Sequence, residues 1–178
     1  MSEAAVAPLA RAQQLAGGAA TVAVVGAVLI ALSAVAGEVV VPAAEHFRTQ
    51  EVTPDLRGAL NLFNAVAVFW LLALPSLLLA GALLDLSKVL DEYGKGQFFT
   101  LKASAGVRKA GEGALWALAF KIVISPTLFS WITQEGRGFL WRMETFDLGL
   151  VAFAAFVMVL GRVLEAAARI KAENDEIV

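Results

Sequence analysis

Four long apolar stretches break up this sequence, and each needs a non-aqueous surrounding. They run from about Gly17 to Val41, with Glu38 near the far end; from Leu62 to Leu84, with no charge; from Ala114 to Ile132, with one charge, Lys121; and from Leu148 to Leu164, charge-free until Arg162. Roughly twenty apolar residues carry a helix across the hydrocarbon of a bilayer. In that solvent every backbone N–H and C=O must be satisfied within its own segment, which selects helices. The expected fold is therefore all-α, an integral membrane four-helix bundle forming a single domain over 1–178. It has an inner loop at 85–113 and a tail at 165–178.

Composition supports this and closes off other classes. Hydrophobic residues make up 59% and charged residues 17%, well short of the quarter charged that is usual for a water-soluble domain. A net charge of -2 offers no basic surface for nucleic acid, so no direct nucleic-acid partner is expected. The absence of cysteine removes disulfides, thiolate metal sites and thiol nucleophiles together. The segment Met1–Ala16 carries both Glu3 and Arg11, and the apolar run after it is too long for a signal-peptide core, so it is read as a retained membrane helix.

Orientation follows from the loops. With four spans both termini share one side. That side holds Arg11, then Lys88, Lys95, Lys102, Arg108 and Lys109, then Arg162, Arg169 and Lys171, nine basic residues; the other holds only Arg48, Arg57, Arg137 and Arg142. The richer side stays cytoplasmic, which predicts a bacterial inner-membrane protein with both ends inside. Thr53-Pro54-Asp55 is a helix-start signal, and Trp131 and Trp141 are expected at the outer membrane edge. In the inner loop, Tyr93-Gly94-Lys95-Gly96 reads as a turn and Thr100 as the cap of a short basic helix. Gly106, Gly111 and Gly113 weaken that helix, which is expected to rest on the headgroups before the third span. Glu165 and Arg169, four apart, are expected to pair, and the acidic tail Ala172–Val178 to fray.

Lys121 is the leading candidate for function. An ammonium inside a span is costly. It either faces the bundle and meets a carboxylate, with Asp85 and Glu165 as candidate partners, or snorkels to the inner headgroups along its own stem. Pro75 and Pro126 each remove a helix hydrogen bond and bend the second and third spans. Such bends open cavities in transporters and elsewhere are packing features. Ala19, Ala23, Ala27 and Ala31 form a small-residue ladder for close helix approach, within the chain or in a homo-oligomer. Glu38, Glu45, His46 and Glu51 cluster about the first outer loop without a metal-ligand spacing, so no metal and no cofactor are expected. No phosphate loop, nucleophile elbow or dinucleotide fingerprint is present.

Three pieces carry a family resemblance: Gly96-Gln97-Phe98-Phe99-Thr100 with the basic helix ending Arg108-Lys109-Ala110-Gly111; Asp147-Leu148 opening the last span; and the ending Ala172-Glu173-Asn174-Asp175-Glu176-Ile177-Val178. From the second span onward the chain resembles the domain of unknown function 2975, a family of membrane proteins. That family has four spans, a "G-x-x-F" turn in the middle loop and an acidic ending close to "D-x-E-L-T-V". The chain departs from it in ending Glu176-Ile177-Val178, and in having Phe98 where the turn often has Pro-Phe. The resemblance implies no enzymatic activity and no catalytic residues, and it implies a membrane partner for a cytoplasmic transcription factor.

Together these readings predict a non-enzymatic interaction or regulatory subunit. It would dock a cytoplasmic regulator or a membrane subunit through Lys102, Arg108 and Lys109 of the inner loop and Asn174, Asp175 and Glu176 of the tail. The alternative is a small transporter or channel built on Lys121 and the two prolines. An enzyme using Asp85, Glu112 and Glu165 at the inner surface is the least supported reading.

Overall fold

A computed structural model describes residues 3–49, 56–98, 100–132 and 138–176, so Thr53-Pro54-Asp55 and Glu51 lie outside the described residues. Every regular element among them is helical. Helix α1 (Glu3–Ala34) continues through a π turn (Val35–Val40) into α2 (Val41–Thr49). Helix α3 (Leu56–Gly94) is a single rod. Helix α4 (Leu101–Ala119) continues through a second π turn (Phe120–Ile124) into α5 (Ser125–Ile132), and α6 (Thr145–Glu176) closes the chain. Four of these rods are long and apolar enough to cross a membrane: Ala10–Glu45, Asn61–Gly94, Leu101–Ile132 and Thr145–Asn174.

The rods pack in a row, α1 on α3, α3 on α4 and α4 on α6, while among the described residues α1 and α6 do not meet. Most large apolar side chains on α1 and α6 therefore face outward, among them Val22, Leu29, Phe153, Phe156 and Val163. Lipid tails are as apolar as these side chains, so close packing of small residues, and not hydrophobic burial, holds such rods together. The face α1 turns to α3 has Ala20, Ala27 and Ala34 buried at intervals of seven, with Gln13, Ala16, Ala23 and Ile30 half-buried between them. This alternation of three and four is a coiled-coil seam. The ladder expected from spacing alone coincides with it only in part: Ala23 and Ala27 lie on the seam, Ala31 at its edge, and Ala19 is exposed.

The junction of α4 and α6 depends on two glycines. A Cβ on Gly111 would stand 2.5 Å from the Met158 backbone nitrogen, and one on Gly161 would stand 2.3 Å from that of Arg108. The inner-loop glycines thus mark helix contacts instead of weakening a surface helix. Thr100 does cap α4, its hydroxyl accepting from the Ala103 N–H at 3.1 Å. The helix it starts is continuous with the third span, passing through the π turn to Ile132.

The turn before α4 forms as expected. Gly96 adopts φ 81, its N–H donates to the Tyr93 carbonyl, and the Gln97 N–H donates to Glu92. Together these bonds close the end of α3 with a left-handed residue that glycine adopts without strain. At the other end of the chain, α6 stays helical to Glu176, where fraying was expected.

Candidate functional site

Charges concentrate in one belt toward the end of the row that carries the termini. Asp85 accepts from Lys88 at 2.8 Å and from Lys109 at 3.4 Å. Arg108 bridges Glu112 at 2.7 Å and Glu165 at 3.5 Å, and Glu165 also takes Arg169 at 2.8 Å, the pairing its spacing predicts. Lys102 reaches Glu92 at 2.6 Å. The two carboxylates expected for Lys121 are therefore held elsewhere. The three basic candidates for docking are engaged within the chain, although Lys102 and Lys109 keep exposed flanks. Asn174 is exposed on the last turns of α6, the side chains of Asp175 and Glu176 lie outside the described residues, and so does that of His46. Glu38 and Glu45 stand exposed, about two turns apart along the first rod.

Lys121 lies well away from that belt. At 1.5 Å per residue it is about 14 Å beyond Glu112 and about 15 Å short of Trp131, near the middle of its span. Its Nζ donates to Asp147 Oδ1 at 2.6 Å. Asp147 is fully buried, and its other oxygen accepts the Glu144 N–H at 3.0 Å. Asp147 sits in the first turn of α6 and reaches back to the residue before the helix, the acidic half of a capping box. The positive end of the helix dipole favours a carboxylate there.

Folding of the preceding segment brings Asp147 to that depth. Residues Gly138–Glu144 do not leave the bundle at the tip of α5 but run back along it. The Gly138 carbonyl accepts from Trp131 Nε1 at 3.1 Å, Leu140 exchanges two bonds with the Thr127 hydroxyl, and the Arg142 N–H donates to the Ile122 carbonyl at 2.8 Å. Four extended residues cover about 13 Å, which matches the nine helical residues between Trp131 and Ile122. The non-helical residues 138–144 therefore lie along this part of α5, and α6 begins only at the level of Lys121. Trp141 lies between the levels of Thr127 and Ile122, about 10 Å along the helix from Trp131.

Both prolines expected to bend the helices free a carbonyl, and each carbonyl has a new donor. Pro75 has no N–H for the Leu71 carbonyl, which takes the Ser125 hydroxyl at 3.1 Å. Pro126 has none for Ile122, which takes Arg142. Among the described residues no buried side-chain polar atom lacks a partner. Each π turn ends just before a residue followed by proline: the Val41 N–H reaches back to Ala36, and the Ser125 N–H to Phe120.

Two cavities meet at this level. One, of about 380 Å³, has Leu72, Pro126, Phe129 and Leu140 on its wall together with Ser125, Ser130, Arg142, Glu144 and Asp147; the other, of about 400 Å³, is lined almost wholly by leucines, alanines, Phe153 and Val157. Pro75 and Lys121 line both.

Sequence reasoning singled out Lys121 and the prolines but missed Asp147, Ser125 and Arg142. The overlooked signal was composition. Phe139, Leu140, Trp141, Met143 and Phe146 fall within nine residues, too many large apolar groups for a loop bathed in water.

A family model described as "Protein of unknown function (DUF2975)" matches residues 36–178. Neither the curated proteins nor the solved structures contain a match to the chain.

Proposed function

This chain belongs to the DUF2975 family of proteins of unknown function, and within that frame we propose that it is a non-enzymatic, multi-pass inner-membrane protein that binds and moves a small solute. The observation that carries this reading is Lys121. It pairs with a buried carboxylate about midway along its span, and it lines both an apolar cavity and a second one in which charged and hydroxyl groups stand among apolar side chains. Discontinuous helices whose ends meet polar groups at mid-depth are the usual binding architecture of small transporters, and irregular backbone is tolerated there only where it is packed against protein or lines a cavity. Asp85, Glu112 and Glu165, the groups an enzymatic reading would need, are neutralised as ion pairs. The excess of Lys and Arg in the inner loop and tail supports cytoplasmic termini.

The test is uptake into proteoliposomes of a panel of labelled carboxylates, amines and sugars. Wild type and Lys121→Arg take up at least one class several-fold above protein-free vesicles, and Lys121→Leu falls to background. Background uptake of every class by all three proteins refutes the reading.

A second reading rests on a different observation, the helical and exposed end of α6. There the chain acts as a subunit that docks a cytoplasmic regulator or another membrane subunit, with α6 as the contact. Deleting 172–178 then abolishes partner capture from membranes while insertion persists. Recovery of the same partners with and without the tail rules it out.

A further inference from the structure

Building on the solute-binding reading, we infer that the ligand is a single-chain amphiphile with a monoanionic head, its head at the Lys121 ammonium and its chain in the apolar cavity. Lys121 is the link. A lysine ammonium carries three N–H donors, one goes to Asp147, and the side chain remains 46% exposed. Asp147 offers a ligand nothing in return, since it is fully buried with both oxygens occupied. The junction therefore presents donors, not acceptors, and so selects an acceptor head. Arg142 adds a second cation on the wall of the other cavity, while Glu144 on the same wall disfavours a doubly charged head.

The apolar cavity fits a chain and little else. Its only polar lining groups are Ser76 and Lys121. It extends from the level of Lys121 to that of Gly111, ten helical residues or about 15 Å. Its floor is made of the small residues Ala110, Gly111, Ala114 and Ala117 on α4, between leucines of α3 and Phe153 and Val157 of α6. Among the described residues the α3 and α6 backbones do not approach each other closely, and α6 side chains reach the α3–α4 core only at Val157 and Leu164, so the cavity lies between the two helices, where a chain can enter sideways from the bilayer. Lipid tails solvate such a groove equally well, so the chain only has to fit and the head contact decides occupancy.

The test uses the full chain in phosphatidylcholine nanodiscs and a sixteen-carbon carboxylate carrying a mid-chain diazirine. Photolabel is expected on peptides containing Leu83, Leu86 and Ala114. Excess palmitate reduces it at least tenfold, whereas hexadecanol, hexadecylammonium and phosphatidylglycerol do not. Lys121→Leu and the groove-filling Ala114→Trp, which leaves the ion pair in place, lower labelling tenfold, and Lys121→Arg keeps it. Labelling that ignores Lys121→Leu and yields equally to hexadecanol is ordinary lipid solvation and overturns the proposal. Competition by phosphatidylglycerol assigns the groove to a bilayer phospholipid and also overturns it. A Leu140→Cys variant, at an exposed position on the wall of the other cavity, separates the ligand class from the solute-binding reading. If palmitate fails but a short solute shields that thiol from an impermeant reagent, the ligand class falls and the solute-binding reading stands. If neither shields it, both fall.

Discussion

The Lys121 ammonium and the Asp147 carboxylate lie 2.6 Å apart across twenty-six positions of chain. The contact exists because residues 138–144 run back along α5. It joins the third rod to the start of the fourth at the level of Pro75, where both cavities open. The stability of this part of the molecule and its proposed activity both depend on it.

Removing one partner strands the other. Lys121→Leu leaves the buried Asp147 carboxylate without a counter-ion and is expected to lower unfolding stability in detergent by about 1–3 kcal/mol, since the ammonium is half exposed but the acceptor it strands is buried. Adding Asp147→Asn removes the stranded charge while keeping an acceptor for the Glu144 N–H, so the double variant recovers most of the loss. A double variant no more stable than Lys121→Leu alone contradicts the pairing.

Ser125 and Pro75 form a second coupled pair. Ser125→Ala strips the Leu71 carbonyl of its donor and is expected to cost about 1–2 kcal/mol. In the Pro75→Ala background the restored residue-75 N–H can bond Leu71 itself, so the same change costs much less. Strict additivity in the double-mutant cycle would show that the hydroxyl is not serving that carbonyl.

Much of this was visible in the residue pattern, and the part that was not has a physical cause. The four spans, the Gly96 turn, the Thr100 cap and the Glu165–Arg169 pair depend on local periodicity and local hydrogen bonding, which the sequence displays directly. The partner of Lys121 depends on the path of Gly138–Glu144. Its signal is easily taken for a loop, because an extended segment bonded to a helix has no helical period. The seam of α1 was legible only in part for a related reason. In an alanine-rich helix many spacings can be drawn, and only contact with α3 selects Ala20, Ala27 and Ala34.

The α4–α6 crossing predicts a steric result. Gly161→Ala places a methyl where the Arg108 backbone now stands. The helices must separate, at about 1–3 kcal/mol as for other overpacked contacts, and the Arg108–Glu165 bridge lengthens. Thermal unfolding together with cross-linking between cysteines introduced at positions 107 and 164 reports both changes. Unchanged stability and cross-linking would mean that the helices are not in backbone contact.

The fold-back of Gly138–Glu144 supports the whole account, and its depth can be measured. The chain has no cysteine, so a spin label at Trp141→Cys is unique, with Trp131→Cys as the reference at the membrane edge. Power saturation with oxygen and a water-soluble nickel complex in reconstituted bilayers should place the label at 141 about 10 Å deeper than that at 131, with high oxygen and low nickel accessibility. Equal depth for the two labels, or free nickel access at 141, would contradict the run of Gly138–Glu144 back along α5 ahead of the fourth helix.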